Sequence, residues 1–187
     1  MDLSLVPLIN DYLPLLQAWD GDIEGMRMMG QLNRLPLSTY QKMIEDSGWN
    51  VVKGVRMDGE LVGYITADVW IDDRKASISL YLAPNGRIPG VAHLSVLRMM
   101  EILFEHLSLH KVQFSIWDFN RRSLNNFKHL TPEAVLREDA YHHGRYWDKI
   151  IYSVLEQEWL SFKKELAALA NRGIAITDKR RERRTTA

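Results

Sequence analysis

The stretch NGRIPGVAHL, Asn85 to Leu94, decides how the chain is read. It follows an alternating apolar run, carries Gly86, Pro89 and Gly90 as turn-formers, and opens the strongest helical pattern in the sequence. Gly90 and Ala92 put two of the smallest side chains where that helix begins. The amides of a helix's first turn have no internal partner, and the helix dipole adds partial positive charge there. Phosphate suits such a place, and small side chains let it reach the backbone. A plain turn and cap would give the same letters, so the surroundings must decide.

Before the stretch, ASISLYLA alternates, with Ile78, Leu80 and Leu82 on one face. After it, Pro89 to Leu107 places Val96, Met99, Met100, Leu103 and Leu107 on one side and Arg98, Glu101 and Glu105 on the other. Then KVQFSIW alternates Val112, Phe114 and Ile116. Ala76 to Trp117 is thus strand, crossover helix, strand; such strands are parallel and the crossover right-handed. Upstream, NVVKGVRM and ELVGYITADVWI flank Asp58-Gly59 as an antiparallel hairpin. Downstream, EAVLREDAYHHG and RYWDKIIYSVL are two strands turning near Gly144. Helical patterns cover Leu8 to Trp19, with Pro14 inside, and Asn120 to His129. A further helix, LSTYQKMIEDSG, has Ser38 as N-cap and Gly48 beyond its end. The class is α+β with an α/β-like crossover: a mixed, mostly antiparallel central sheet with helices on both faces.

A chain of 187 residues, 46% hydrophobic and 26% charged, suits one domain with one sizeable core. Zero formal net charge argues against nucleic acid as a partner. The absence of cysteine excludes disulfides, thiolate catalysis and cysteine metal sites. The N-terminal MDLSLVPLINDYLPLL has no basic leader, and Asp2 and Asp11 interrupt it. It reads as neither signal peptide nor membrane span, and a cytoplasmic location is expected. His106 and His110 stand four apart without a third ligand, so no metal is expected. His142 and His143 alternate across a strand, so one of them can face a cleft.

The last helix spaces Trp159, Phe162, Leu166 and Leu169 as one stripe. Packing on its own domain is the expectation, a homodimer the alternative. The final TDKRRERRTTA, with Lys179, Arg180, Arg181, Arg183 and Arg184, is expected to be disordered and solvated.

Arg87-Ile88-Pro89-Gly90-Val91-Ala92 fits Arg/Gln-x-x-Gly-x-Gly/Ala and resembles the acetyl-CoA pyrophosphate loop of the GNAT superfamily of N-acetyltransferases. The order of elements agrees. WDFNRRS resembles the Asn-x-x-Ser that follows the fifth strand in that family, and EAVLREDAYHHGRYWDKIIYSVLEQEW resembles the closing segment of the branch acting on ribosomal-protein N-termini. The resemblance runs from about Leu3 to Trp159. It implies a GNAT domain over 1–160, a helical extension over 161–172 and a basic tail over 173–187. It further implies a splayed parallel strand pair whose gap, between Ile78–Leu82 and Phe114–Trp117, receives the pantetheine arm. Acetyl-CoA is the implied co-substrate, and the acceptor is a primary amine of a protein N-terminus or small molecule that attacks directly. Residues expected against the cofactor are Leu80, Tyr81, Leu82, Arg87, Ile88, Gly90, Val91, Ala92, Asn120 and Ser123; Ser123 is the catalytic candidate. Met26, Met28 and Met29 fall in the acceptor wall, about Asp20 to Pro36.

The chain departs from the pattern at five places. Pro89 lacks an N–H, Ile88 replaces a frequent glycine, and KHLTPE replaces the usual bulge after the short helix. Phe127 stands where many members have an acidic tyrosine, and Ala140 where a glutamate base is suggested. These last two favour the rival reading, a non-catalytic acyl-CoA- or partner-binding module.

Overall fold

The computed structural model describes residues 1–29, 35–45, 50–127 and 130–185, with side chains to 179. Gly48, part of the Asp20–Pro36 wall and part of KHLTPE lie outside the described residues.

Seven strands form one sheet: β1 (Leu3–Pro7), β2 (Asn50–Met57), β3 (Glu60–Trp70), β4 (Lys75–Leu82), β5 (Lys111–Trp117), β6 (Ala134–His142) and β7 (Arg145–Leu155), in spatial order β1-β2-β3-β4-β5-β7-β6. Only β4 and β5 run parallel; all other neighbours are antiparallel. Asp58-Gly59 and His143-Gly144 make two of the hairpin turns, with positive φ at both residues of each (49° and 93°; 49° and 81°). β6 carries a register shift between Leu136 and Ala140, where Glu138 takes φ 54° and its N–H donates to Asp148 Oδ1 at 2.9 Å.

β1 has no counterpart in the sequence reading. Leu3–Pro7 was legible only as an apolar leader, and the strand exists because it pairs with β2, Leu3 opposite Met57. The helix expected over Leu8–Trp19 shortens to α1 (Leu13–Trp19), with Pro14 in its first turn, where a missing N–H costs little. α2 (Ile23–Met28) and α3 (Leu37–Glu45) follow. α4 (Val91–Glu101) crosses from β4 to β5 and widens into a π turn over Ile102–His106. α5 (Arg121–Phe127) is the short helix after β5.

The two sheet faces bury separate cores. α1, α2 and α3 supply Leu13, Leu16, Trp19, Met26 and Tyr40 to one, against Tyr64 and Tyr81 of the sheet. α4 supplies Val91, Val96, Met99 and Met100 to the other, against Ile65, Ile78, Val112 and Phe114.

The last helix, α6 (Trp159–Thr185), packs on this second core, against α4. It runs continuously through the boundary expected at 172 and through most of the segment expected to be disordered. Gly173 costs an isolated helix only about 1 kcal/mol, and here it sits at a contact that only glycine permits. A Cβ on Gly173 would overlap the backbone of Gly90, and one on Gly90 would stand 2.8 Å from Ala170 O and 2.9 Å from Ile174 N. The buried stripe is Trp159, Phe162, Leu166, Ala170, Gly173 and Thr177; Leu169 is only half-buried, and Ala170 takes its place. Among the described residues no helix is long and apolar enough to cross a membrane.

Candidate active site

The β4–β5 ladder has three rungs, Lys75↔Lys111, Ala76↔Val112 and Ser77↔Gln113, and then the strands part. β4 continues to Leu82 on the support of β3, and β5 to Trp117 on that of β7. Two adjoining cavities of about 290 and 330 Å³ open at this divergence. The larger is walled by Ile78, Ser79 and Leu80 on one side and by Phe114 to Trp117 on the other. That is the gap the sequence anticipated.

Most of the anticipated residues meet here. Leu80, Ala92, Asn120 and Ser123 line both cavities; Tyr81, Leu82, Arg87 and Ile88 line the smaller one. Met28 and Met29 face both, whereas Met26 is core. Tyr81 turns its ring to the opposite sheet face from Ile78 and Leu80, between Trp19 and Tyr64, with centroids 5.5 and 5.4 Å away. Strand alternation alone carried that information.

Gly90 and Val91 take part in another way. Gly90, φ 95°, caps α4 and is covered by α6; neither residue lines the cavities. The Val91 N–H donates to Ile88 O at 3.2 Å, and Leu94 N–H to Gly90 O at 3.0 Å. Ala92 and His93 therefore carry the first-turn N–H groups left without an internal acceptor. The backbone donors lie one residue further along than the motif suggested, and Ala92 keeps the approach to them open.

Arg87 is bound within the fold. Its Nε donates to Leu82 O at 3.0 Å, and its guanidinium pairs with Asp22, the N-cap of α2. Tyr81 Oη donates to the same Asp22 Oδ2 at 2.9 Å. Arg87 thus ties the loop before α4 to the wall that carries Met28 and Met29. Gly25 is small because this ion pair occupies the place of its side chain.

Asn120 caps α5: Ser123 N–H donates to Asn120 Oδ1 at 3.2 Å. Its amide nitrogen and the Ser123 hydroxyl remain for the cleft. Phe127 closes the larger cavity, packed 4.5 Å from the Phe114 ring. It is an apolar wall and supplies no proton.

Sequence reasoning missed His93. It lines the larger cavity, and both ring nitrogens are shielded from solvent, with the Asn126 side chain beside them. Its one signal was position, one turn past Gly90 on a helix whose core face is apolar. Burial, then the charges of Arg122 and Arg172, hold its pKa below the ordinary range, against a nearby Asn126 amide.

Beyond Trp117, which lines both it and the larger cavity, a third cavity of about 170 Å³ lies between α2 and the β6–β7 hairpin. Arg27, Phe119, Asp139, Ala140, Tyr141 and His142 complete its lining. Asp139 is already engaged, accepting from Trp117 Nε1 at 3.2 Å and pairing with Lys149 at 3.3 Å. His142 is buried, its ring 4.4 Å from that of Phe119. Burial, His143 and Arg27 depress its pKa, with Glu24 opposing them. His142 is therefore neutral at neutral pH.

Because His93 and His142 both have depressed folded-state pKa values, the unfolded chain binds more protons in mild acid. Their contribution to stability is complete above about pH 6.5 and is lost as pH falls below it. Thermal melts across pH 7 to 5 are expected to show a falling midpoint, and His142→Gln to flatten that fall. An unchanged slope in the variant would show that His142 is not the titrating group.

The family model described as acetyltransferase (GNAT) domain matches residues 2–130. Among solved structures, spermidine N-acetyltransferase from Vibrio cholerae in complex with CoA and spermine is similar at 20% identity and a TM-score of 0.77, over 84% of this chain and 98% of that one. A chimera of the Vibrio cholerae spermidine N-acetyltransferase SpeG with hSSAT is similar at 20% identity and a TM-score of 0.73, over 86% and 99%. Likeness at that identity shows the fold. A search of curated proteins finds no match. The gap, the free first-turn amides and the small Ala92 between them fit the arm and diphosphate of coenzyme A. With its family model matched over most of its length, the chain belongs to the GNAT acetyltransferases and is an N-acyltransferase with acetyl-CoA as co-substrate.

Proposed function

We propose that the enzyme acetylates a primary amine that carries one positive charge, a protein N-terminus or a small molecule, by direct attack on the thioester. The supporting observation is the three-rung β4–β5 ladder opening into a cleft with free α4 amides at one side and Asn120 and Ser123 at the other. In this reading the unpaired edges of β4 and β5 align the pantetheine amides. Ala92 and His93 N–H groups hold phosphate, and Leu80, Leu82 and Ile88 give apolar contact. Ser123 donates to the departing thiolate.

The acceptor enters by the third cavity. His142, neutral and buried there, takes the proton of the attacking amine, in place of the glutamate that Ala140 lacks. Arg27 lines the cavity together with Asp139, which Lys149 and Trp117 already engage. Among the described residues a polycation finds no cluster of free carboxylates in it. Spermidine, the substrate named for the Vibrio cholerae neighbour, is accordingly expected to be a poorer acceptor than a peptide N-terminus.

Calorimetry with acetyl-CoA and thiol release with an amine panel test the reading. Ser123→Ala is expected to lower kcat about a hundredfold with the affinity for acetyl-CoA nearly unchanged. Acetyl-CoA binding with no turnover on any amine would instead support the non-catalytic module.

A further inference from the structure

The third cavity holds a charge that the chain itself does not neutralise. Arg27 enters it from α2; every other lining residue comes from β5, the loop after it or β6. That second wall is braced. Phe119 packs on Trp117 at 6.1 Å and on His142 at 4.4 Å, and Trp147 Nε1 donates to His142 O at 2.8 Å. Asp139 is the one carboxylate in the described lining, and it is taken: Lys149 Nζ stands 3.3 Å from it and Trp117 Nε1 3.2 Å. Arg27 has no such partner and forms no ion pair among the described residues. Glu24, three residues earlier on α2, lines the smaller cavity instead.

A half-buried guanidinium beside aromatic rings has lost part of its hydration and gained no counter-ion. A carboxylate answers it with two parallel hydrogen bonds, whereas an ammonium is repelled. The space is small. At about 170 Å³ it falls below the roughly 300–1,000 Å³ of pockets that enclose whole drug-sized ligands, so it admits one end of an acceptor. Trp117 lines both this cavity and the larger one, so a molecule held at Arg27 has only that side chain to pass before it reaches the thioester gap. Resting on the acceptor route proposed above, we propose that the preferred acceptor is an amine with a carboxylate a few bonds away, and that Arg27 is the specificity residue that binds this carboxylate. Two sources supply that chemistry: the acidic side chain of a peptide's first residue, and the α-carboxylate of a free amino acid. Arg27 anchors the carboxylate while the amine points past Trp117.

The test compares kcat/KM within two matched pairs of acceptors, with acetyl-CoA as donor. One pair is a short C-terminally amidated peptide that begins with aspartate and the same peptide beginning with asparagine. The other is free alanine and alaninamide. Wild type is expected to favour the carboxylate-bearing member of at least one pair about tenfold. A preference in the first pair assigns the side chain of a peptide's first residue, and one in the second assigns an amino acid; either supports the proposal. Arg27→Gln is expected to bring the ratio within about twofold of unity. Arg137→Gln removes an exposed cation of β6 outside this lining and is expected to keep the wild-type ratio. Each ratio compares two acceptors on one protein, so any effect of Arg27→Gln on His142 or on the fold cancels. Equal rates within both pairs in wild type, a preference that survives Arg27→Gln, or an equal loss in Arg137→Gln overturns the proposal and leaves the transferase reading standing. No turnover on any of the four defeats the acceptor route and this proposal together.

Discussion

Gly90→Val is expected to destabilise the protein by about 2–5 kcal/mol and to weaken acetyl-CoA binding about a hundredfold. Two costs add. Gly90 has φ 95°, where a β-branched residue is strained by about 1–2 kcal/mol. Its new Cβ would also press on Ala170 O and Ile174 N, both backbone atoms of α6, and overpacking of that kind costs about 1–3 kcal/mol. Relief requires α6 and the loop to separate, which moves the Ala92 and His93 amides. Gly59→Val isolates the first cost, because Gly59 has φ 93° and nothing within 4 Å of its Cβ position. Urea unfolding of both variants measures the difference. If Gly90→Val costs no more than Gly59→Val, α6 does not press on the loop in solution.

Tyr81→Ala should cost about 3–5 kcal/mol, the usual range for removing a large buried aromatic side chain. Tyr81 is 1% exposed and packs on Trp19 and Tyr64 at the centre of the core beneath α1, α2 and α3. Tyr81→Phe keeps the ring and loses only the hydrogen bond to Asp22, about 1.5 kcal/mol for a charged acceptor. Burial, and then Asp22 itself, push the Tyr81 phenol well above its ordinary range, so it stays a donor at any physiological pH. Burial and Asp20 raise Tyr64 to about 12. Both raised values contribute stability that is complete below about pH 10 and lost as pH climbs beyond it. Denaturant titrations of the two variants that gave equal losses would place the whole effect in the hydroxyl and refute the packing account.

Local signals carried much of the sequence reading. The Asp58-Gly59 turn, the Gly144 turn, the β4–α4–β5 crossover and the loop before α4 each depend on neighbours a few residues apart. They stand in the structure where periodicity and turn chemistry put them. What escaped was carried by contacts between distant segments. β1 needs β2, about fifty residues on. The Asp22–Arg87 pair and the Gly90–Gly173 crossing join residues that no window spans together. A glycine in a helix made chiefly of charged and small residues looks like an end, until the segment it touches is known.

The site shows the same division. Leu80, Ala92, Asn120 and Ser123, anticipated from one alternating strand and two short motifs, line the cleft together. His93 was not assigned, and His142 stood only as one of a pair that can face a cleft, because their surroundings come from several different elements.

The parted strands have a consequence for how the molecule breathes. In most sheets the middle strands shed their amide hydrogens to heavy water most slowly, and the borders first. Here β4 and β5 each present an unzipped flank at the centre of the molecule, so deuterium should enter there nearly as readily as at a rim. Only a guest lying in the seam would shut it, which makes isotope uptake along Ile78–Leu82 and Phe114–Trp117 a direct gauge of occupancy, independent of turnover.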